Sequence, residues 1–116
     1  MTKTIAIIGA GGQMGKWLAS YFVKKGFDVT GFDIENPIPT NIKQAGSLIS
    51  AILNKEYVLL STPTKKTPEI IRLIAKEMKR ESYLIDITSQ KSKTATALGK
   101  IPPKVCPICI HPMFGP

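Results

Sequence analysis

At 116 residues the chain is the size of one domain, long enough for a single real core and too short for two. Hydrophobic residues at 43% and charged residues at 21% exclude a disordered chain, and no apolar run is long enough to span a bilayer, so no membrane partner is expected. Sixteen basic against eight acidic residues give a net charge of +8 and ask for anionic partners, but fourteen of the sixteen are scattered lysines with no nucleic-acid motif beside them, so no nucleic acid is expected either.

Met1–Lys3 leads straight into an apolar run without the pattern of a secretory leader, and the expected compartment is the cytoplasm. That run, Lys3–Gly9 (KTIAIIG), is β-branched and ends in a glycine cluster, as a buried parallel strand does. Met14, Trp17, Leu18, Tyr21 and Phe22 then recur at steps of three and four, which predicts a helix from about Gln13 to Lys25 with one apolar face. Gly26 stops it, Asp28–Phe32 forms the second strand, and Asp33 stands at that strand's end.

Glu35–Gly46, with Pro37 and Pro39, reads as a loop over the sheet edge, followed by a short helix at Leu48–Leu53 and a third strand at Tyr57–Ser61. Thr67 then Pro68 reads as a cap and first-turn proline, opening a helix that buries Ile70, Ile71, Ile74 and Met78. A fourth strand is expected at Tyr83–Ile87, a helix at Ser92–Leu98, and a fifth strand at Val105–Ile110, where Pro107 suits an edge. Cys106 and Cys109 fall on opposite faces of that strand, so they read as small buried side chains and no metal site is expected.

Strands alternating with helices imply an α/β, Rossmann-type doubly wound sheet, mainly parallel, of about five strands in three α/β/α layers, with residues 1–116 as one dinucleotide-binding domain. Numbered along the chain, the expected strand order is 2-1-3-4-5. Ligands of such sheets sit beyond the carboxyl ends of strands 1 and 3.

Gly9-Ala10-Gly11-Gly12-Gln13-Met14-Gly15 lies there, between first strand and first helix. Ala10, Gly12 and Gly15 take the three positions of the dinucleotide fingerprint, with alanine for the first glycine, and the helix start offers N–H groups to a pyrophosphate. Asp33 falls 21 residues after Gly12, where a carboxylate accepts from an adenosine ribose. Against a 2′-phosphate the same charge repels by roughly 4 kcal/mol at about 4 Å and a dielectric near 20, so NAD is expected over NADP. A plain tight turn and a solvated strand-end aspartate remain the alternatives.

Asp86-Ile87-Thr88-Ser89-Gln90-Lys91 resembles the D-x-x-S-V-K segment of prephenate and arogenate dehydrogenases, departing at Gln90, and His111-Pro112-Met113-Phe114-Gly115-Pro116 matches their H-P-M-F-G-P segment. With the I-I-G-x-x-G-x-M-G opening, the resemblance runs from Thr4 to the last residue. It implies an NAD-dependent oxidative decarboxylation of prephenate to 4-hydroxyphenylpyruvate in tyrosine biosynthesis, or the arogenate equivalent. His111 would be the catalytic histidine on the substrate hydroxyl, a residue type whose unperturbed pKa of about 6.5 suits proton acceptance around neutral pH. Ser89 would orient substrate, histidine and nicotinamide, Thr62 and Pro63 would lie along the nicotinamide ribose, and Lys91 would add positive potential near the anionic substrate, with a cap for the following helix at Ser89 and a solvated surface lysine at Lys91 as the alternatives.

The glycine turn is shared with 3-hydroxyacid dehydrogenases, and a non-catalytic dinucleotide-binding module carries the same residues. Members of the resembled family continue into a helical domain that supplies dimer contacts and arginines for the substrate. The 116 residues are therefore expected to bind NAD with little turnover, and to self-associate or dimerise through apolar surface near Ile108, Ile110, Met113 and Phe114.

Overall fold

The computed structural model describes residues 2–87 and 92–110. In chain order these form β1 (Thr4–Ile8), α1 (Gln13–Lys24), β2 (Asp28–Phe32), β3 (Lys43–Gln44), α2 (Leu48–Ile52), β4 (Tyr57–Leu60), α3 (Thr67–Ile74), β5 (Ser82–Asp86), α4 (Ser92–Leu98) and β6 (Val105–Cys109). All the strands join one parallel sheet in the order β3-β2-β1-β4-β5-β6. This is the Rossmann-type α/β architecture, with the expected order of five strands kept and one strand added.

The added strand is β3, whose Lys43 and Gln44 pair with Thr30 and Gly31 inside the stretch expected to be a loop. Both residues are exposed, so no apolar alternation marks them. The free edge of β2 supplies the pairing, and the main-chain bond from Ala45 N–H to Gly31 O extends it.

β1 shows why the sheet is two-sided. Ile5 and Ile7 point into one core with Leu18, Ala19 and Val29, while Ala6 and Ile8 point into another with Ile52, Ile71 and Ile74. Each fully buried isoleucine contributes about 1.5–3 kcal/mol from apolar burial, which is why the strand reads as an unbroken apolar run. The first face carries α1, and the second carries α2, α3 and α4.

The two faces are not equally covered. On the α1 side, Tyr83 stacks on Tyr57 at 5.3 Å between ring centroids yet stays 37% exposed. At the other end of the β5–β6 pair, Ile108 is half-buried and Ile110 is 40% exposed, while Met113 and Phe114 lie outside the described residues. Cys106 and Cys109 correct the expectation of buried thiols: both are free and exposed, on a strand that among the described residues stands at the sheet's edge with a neighbour on one side only. Among the described residues no helix is long and apolar enough to cross a membrane, and no His, Cys, Asp and Glu group is placed to hold a metal.

Topology fixes where a ligand crevice must open. From β1 the chain moves outward through β2 and β3, then returns to β4 on the other side of β1. The loops after β1, β2 and β4 therefore part at their carboxyl ends.

Candidate functional site

A cleft of about 350 Å³ lies at that parting, within the usual range of a ligand pocket. Its walls are the glycine turn after β1, residues 33–36 after β2, and residues 61–66 after β4. Of the residues expected to touch a cofactor, Gly9, Gly12, Gln13, Met14, Asp33, Thr62 and Pro63 line it. Ala10 is fully buried in the α1-side core, and Gly11 is pressed against Asn36, where an added Cβ would meet that residue's Cβ at 2.6 Å.

The glycines divide by what surrounds them. Gly9 has φ +89°, a left-handed backbone, and a side chain there would strike the carbonyl of Ser61. At Gly15 a side chain would strike the carbonyl of Gly9, so α1 sits directly on the turn and these two glycines belong to the fold. Gly12 is different: its added Cβ would meet only Gly9 O, at an ordinary 3.6 Å, and its backbone (φ −77°, ψ 170°) suits any residue. The fold does not require glycine at position 12.

Gly12 is the N-cap of α1, and it has no side chain to cap with. The first turn holds no acidic residue. The first main-chain bond of the helix runs from Lys16 N–H to Gly12 O at 2.9 Å, so among the described residues the N–H groups of Gln13, Met14 and Gly15 have no protein acceptor. Gln13 and Met14 line the cleft. An uncapped helix start with its dipole end facing a crevice suits an anion with several oxygens.

Asp33 shares the cleft, half-buried, and its carboxylate already works for the chain. Oδ2 accepts from Gly11 N–H, and Oδ1 accepts from Glu35 N–H and Asn36 N–H, each at 2.9 Å. Three of its roughly four acceptor positions are thus filled, leaving one for a ligand hydroxyl. Asp33 ties the glycine turn to the loop after β2, so its place in the site and its place in the fold cannot be separated.

Thr67 corrects the expected helix start. The N-cap of α3 is Lys66, which makes no side-chain cap, and Thr67 is fully buried instead. Its hydroxyl donates to Pro63 O at 3.1 Å and lies 2.7 Å from Thr62 Oγ1. A hydroxyl has one proton, so Thr62 must donate to Thr67. Thr62 therefore offers its remaining lone pairs to the cleft as an acceptor, as a ribose hydroxyl or a carboxamide N–H would need.

Lys66 reaches across to Glu35, Nζ to Oε1 at 2.9 Å, and both side chains line the cleft. Exposed by 55% and 65%, the pair contributes under about 1 kcal/mol to stability. Nothing local in the sequence marks it, since the partners stand 31 residues apart. Ile34, 77% exposed, and the half-buried Ile70 add apolar surface to the same cleft. Ser89, Lys91 and His111 lie outside the described residues, although the fully buried Asp86 that precedes the first two closes β5 and accepts Ile110 N–H on its carbonyl.

Comparison with known proteins speaks to the family and the fold. A family model described as the nucleotide-binding domain of prephenate dehydrogenase matches residues 19–116. A Methanocaldococcus jannaschii protein described as a "probable arogenate/prephenate dehydrogenase" is 34% identical over 97% of this chain, which spans only 27% of that relative's length. Among solved structures, a semialdehyde dehydrogenase NAD-binding protein from Cupriavidus necator, in complex with calcium and NAD, superposes with TM-score 0.77 at 23% identity, covering 97% of this chain and 42% of its own. A PanE/ApbA family ketopantoate reductase from Ralstonia eutropha gives 0.74 at 10% identity, over 91% and 40% of the two chains. At these identities the solved structures speak for the fold alone.

Proposed function

Because the chain belongs to the prephenate dehydrogenase family, as its nucleotide-binding domain, we propose that it holds NAD for the oxidative decarboxylation of prephenate, with arogenate as the alternative substrate. The single observation that supports the cofactor half of this reading is the start of α1. Its free N–H groups open on the same cleft as an aspartate with one acceptor position left.

The fit of a dinucleotide follows from the donor set. Gln13 and Met14 main-chain N–H groups hold the pyrophosphate, with Gly12 leaving room for it. Asp33 accepts from the adenosine ribose, and its charge favours a ribose without a 2′-phosphate, hence NAD over NADP. Ile34 and Ile70 give the adenine an apolar surface, and Thr62 and Pro63 line the way to the nicotinamide ribose. When bound, NAD accepts hydride from the carbinol carbon of the substrate ring.

The substrate half rests on the family motifs. His111 takes the proton of the ring hydroxyl as hydride leaves, within the pH range where a neutral imidazole is available. Loss of the ring carboxylate as CO2 then makes the ring aromatic. Ser89 orients the hydroxyl and the imidazole, and Lys91 adds positive potential for an anionic substrate. A homodimer and a cytoplasmic enzyme of tyrosine biosynthesis complete the reading.

Titration calorimetry with NAD tests the cofactor, and absorbance of NADH at 340 nm tests the chemistry. One saturable NAD site per chain is expected. His111→Asn is expected to keep binding NAD while losing at least about a hundredfold of whatever NADH formation prephenate or arogenate supports in the wild type. A chain that takes up no NAD contradicts the first half, and an unimpaired His111→Asn contradicts the second.

A further inference from the structure

The cleft's three charged lining residues are joined in a chain of hydrogen bonds. Asp33, Glu35 and Lys66 all line it, Glu35 N–H is bonded to the Asp33 carboxylate, and the Lys66 ammonium is bonded to the Glu35 carboxylate. The loops that bear Glu35 and Lys66 rise from β2 and β4, the strands on either side of β1, so the ion pair bridges the crevice above the end of β1. Asp33 is fixed by three main-chain donors, but the Glu35 and Lys66 side chains are mostly exposed and meet through one bond at 2.9 Å. An exposed pair of this kind is held weakly enough for a stronger anion to replace the carboxylate.

We infer that the Glu35–Lys66 pair sets selectivity at the 2′-position of the adenosine ribose: Glu35 engages the ammonium in the cleft lining that would otherwise meet a 2′-phosphate, and it adds a second negative charge to the lining that holds Asp33. This rests on the dinucleotide reading above. As built, the lining carries one net negative charge. Without the Glu35 charge it is neutral and the ammonium is released, which favours a phosphate carrying up to two negative charges. Without the Lys66 charge it is doubly negative, which excludes that phosphate further while an uncharged ribose hydroxyl meets no such penalty.

The test is calorimetric titration of NAD and NADP at low ionic strength, where an exposed pair is least screened. It uses the wild-type chain, Glu35→Gln, Lys66→Met and the double variant, with unfolding midpoints recorded to confirm that each is folded. The ratio of the NADP to the NAD dissociation constant is expected to fall about tenfold in Glu35→Gln, to rise several-fold in Lys66→Met, and to return toward the wild-type value in the double variant. A ratio unmoved within about twofold in both single variants, with NAD still bound by the wild type, overturns this inference and leaves the dinucleotide reading standing. Failure of the wild type to bind either cofactor removes both.

Discussion

Helices α1 and α2 both begin at the cleft end of the sheet, and their first turns are finished in opposite ways. At α2, Ser47 Oγ accepts from Ser50 N–H at 3.1 Å while Ser50 Oγ accepts from Ser47 N–H at 3.0 Å, a reciprocal box that satisfies the helix start from within. At α1, Gly12 brings no side chain, the first turn has no acid, and among the described residues the Gln13, Met14 and Gly15 N–H groups have no acceptor, the first two lining the cleft. A chain that caps a five-residue helix with two serines has the chemistry to cap a twelve-residue one. The longer one is left open at the topological switch point, and the proposed cofactor site rests on that contrast.

The contrast can be broken most severely at Gly15. Alanine there drives a methyl into the Gly9 carbonyl and to 2.9 Å from Ala10 Cα, so α1 must leave the turn. Gly15→Ala is expected to cost more than about 4 kcal/mol, read as loss of a cooperative transition in urea. A variant that unfolds like the wild type would show that α1 does not rest on the glycine turn at all.

A smaller change sharpens the other side. Ser47→Ala removes the box at α2 and is expected to lower stability by about 1 kcal/mol in the same urea titration while NAD still binds. If it abolished NAD binding instead, the capped terminus would belong to the site and the distinction between the two helices would fail.

Much of this was legible from residue patterns because the forces behind it are local. β1 announces itself through an unbroken β-branched run that both faces bury, and the glycine turn through the small residues that close packing of strand and helix demands. Asp33 was legible as a strand-end carboxylate, but its three main-chain donors were not, since they depend on how residues 34–36 fold back toward Gly11. β3 escaped because two exposed residues carry no periodicity and take their order from a neighbouring edge. Thr67 reads locally as a cap, yet burial against Pro63 and Thr62 turned its hydroxyl inward. The exposed cysteines stand on β6, at the sheet's edge among the described residues, a property of sheet order that no short window contains. The Glu35–Lys66 contact is likewise a product of topology, joining loops that only the sheet brings together.

The most direct test closes the open terminus by substitution. Gly12→Asp places a carboxylate at the N-cap of α1, where the backbone already accepts any residue and the Met14 and Gly15 N–H groups await an acceptor. Two numbers are measured on one sample, the thermal midpoint and the NAD dissociation constant. The midpoint is expected to stay unchanged or rise by a few degrees, from about 0.5–1 kcal/mol of capping and dipole energy, while NAD affinity falls at least about a hundredfold. A Gly12→Asp chain that binds NAD as tightly as the wild type would contradict the proposed cofactor site, because the dinucleotide would then be held somewhere other than the start of α1.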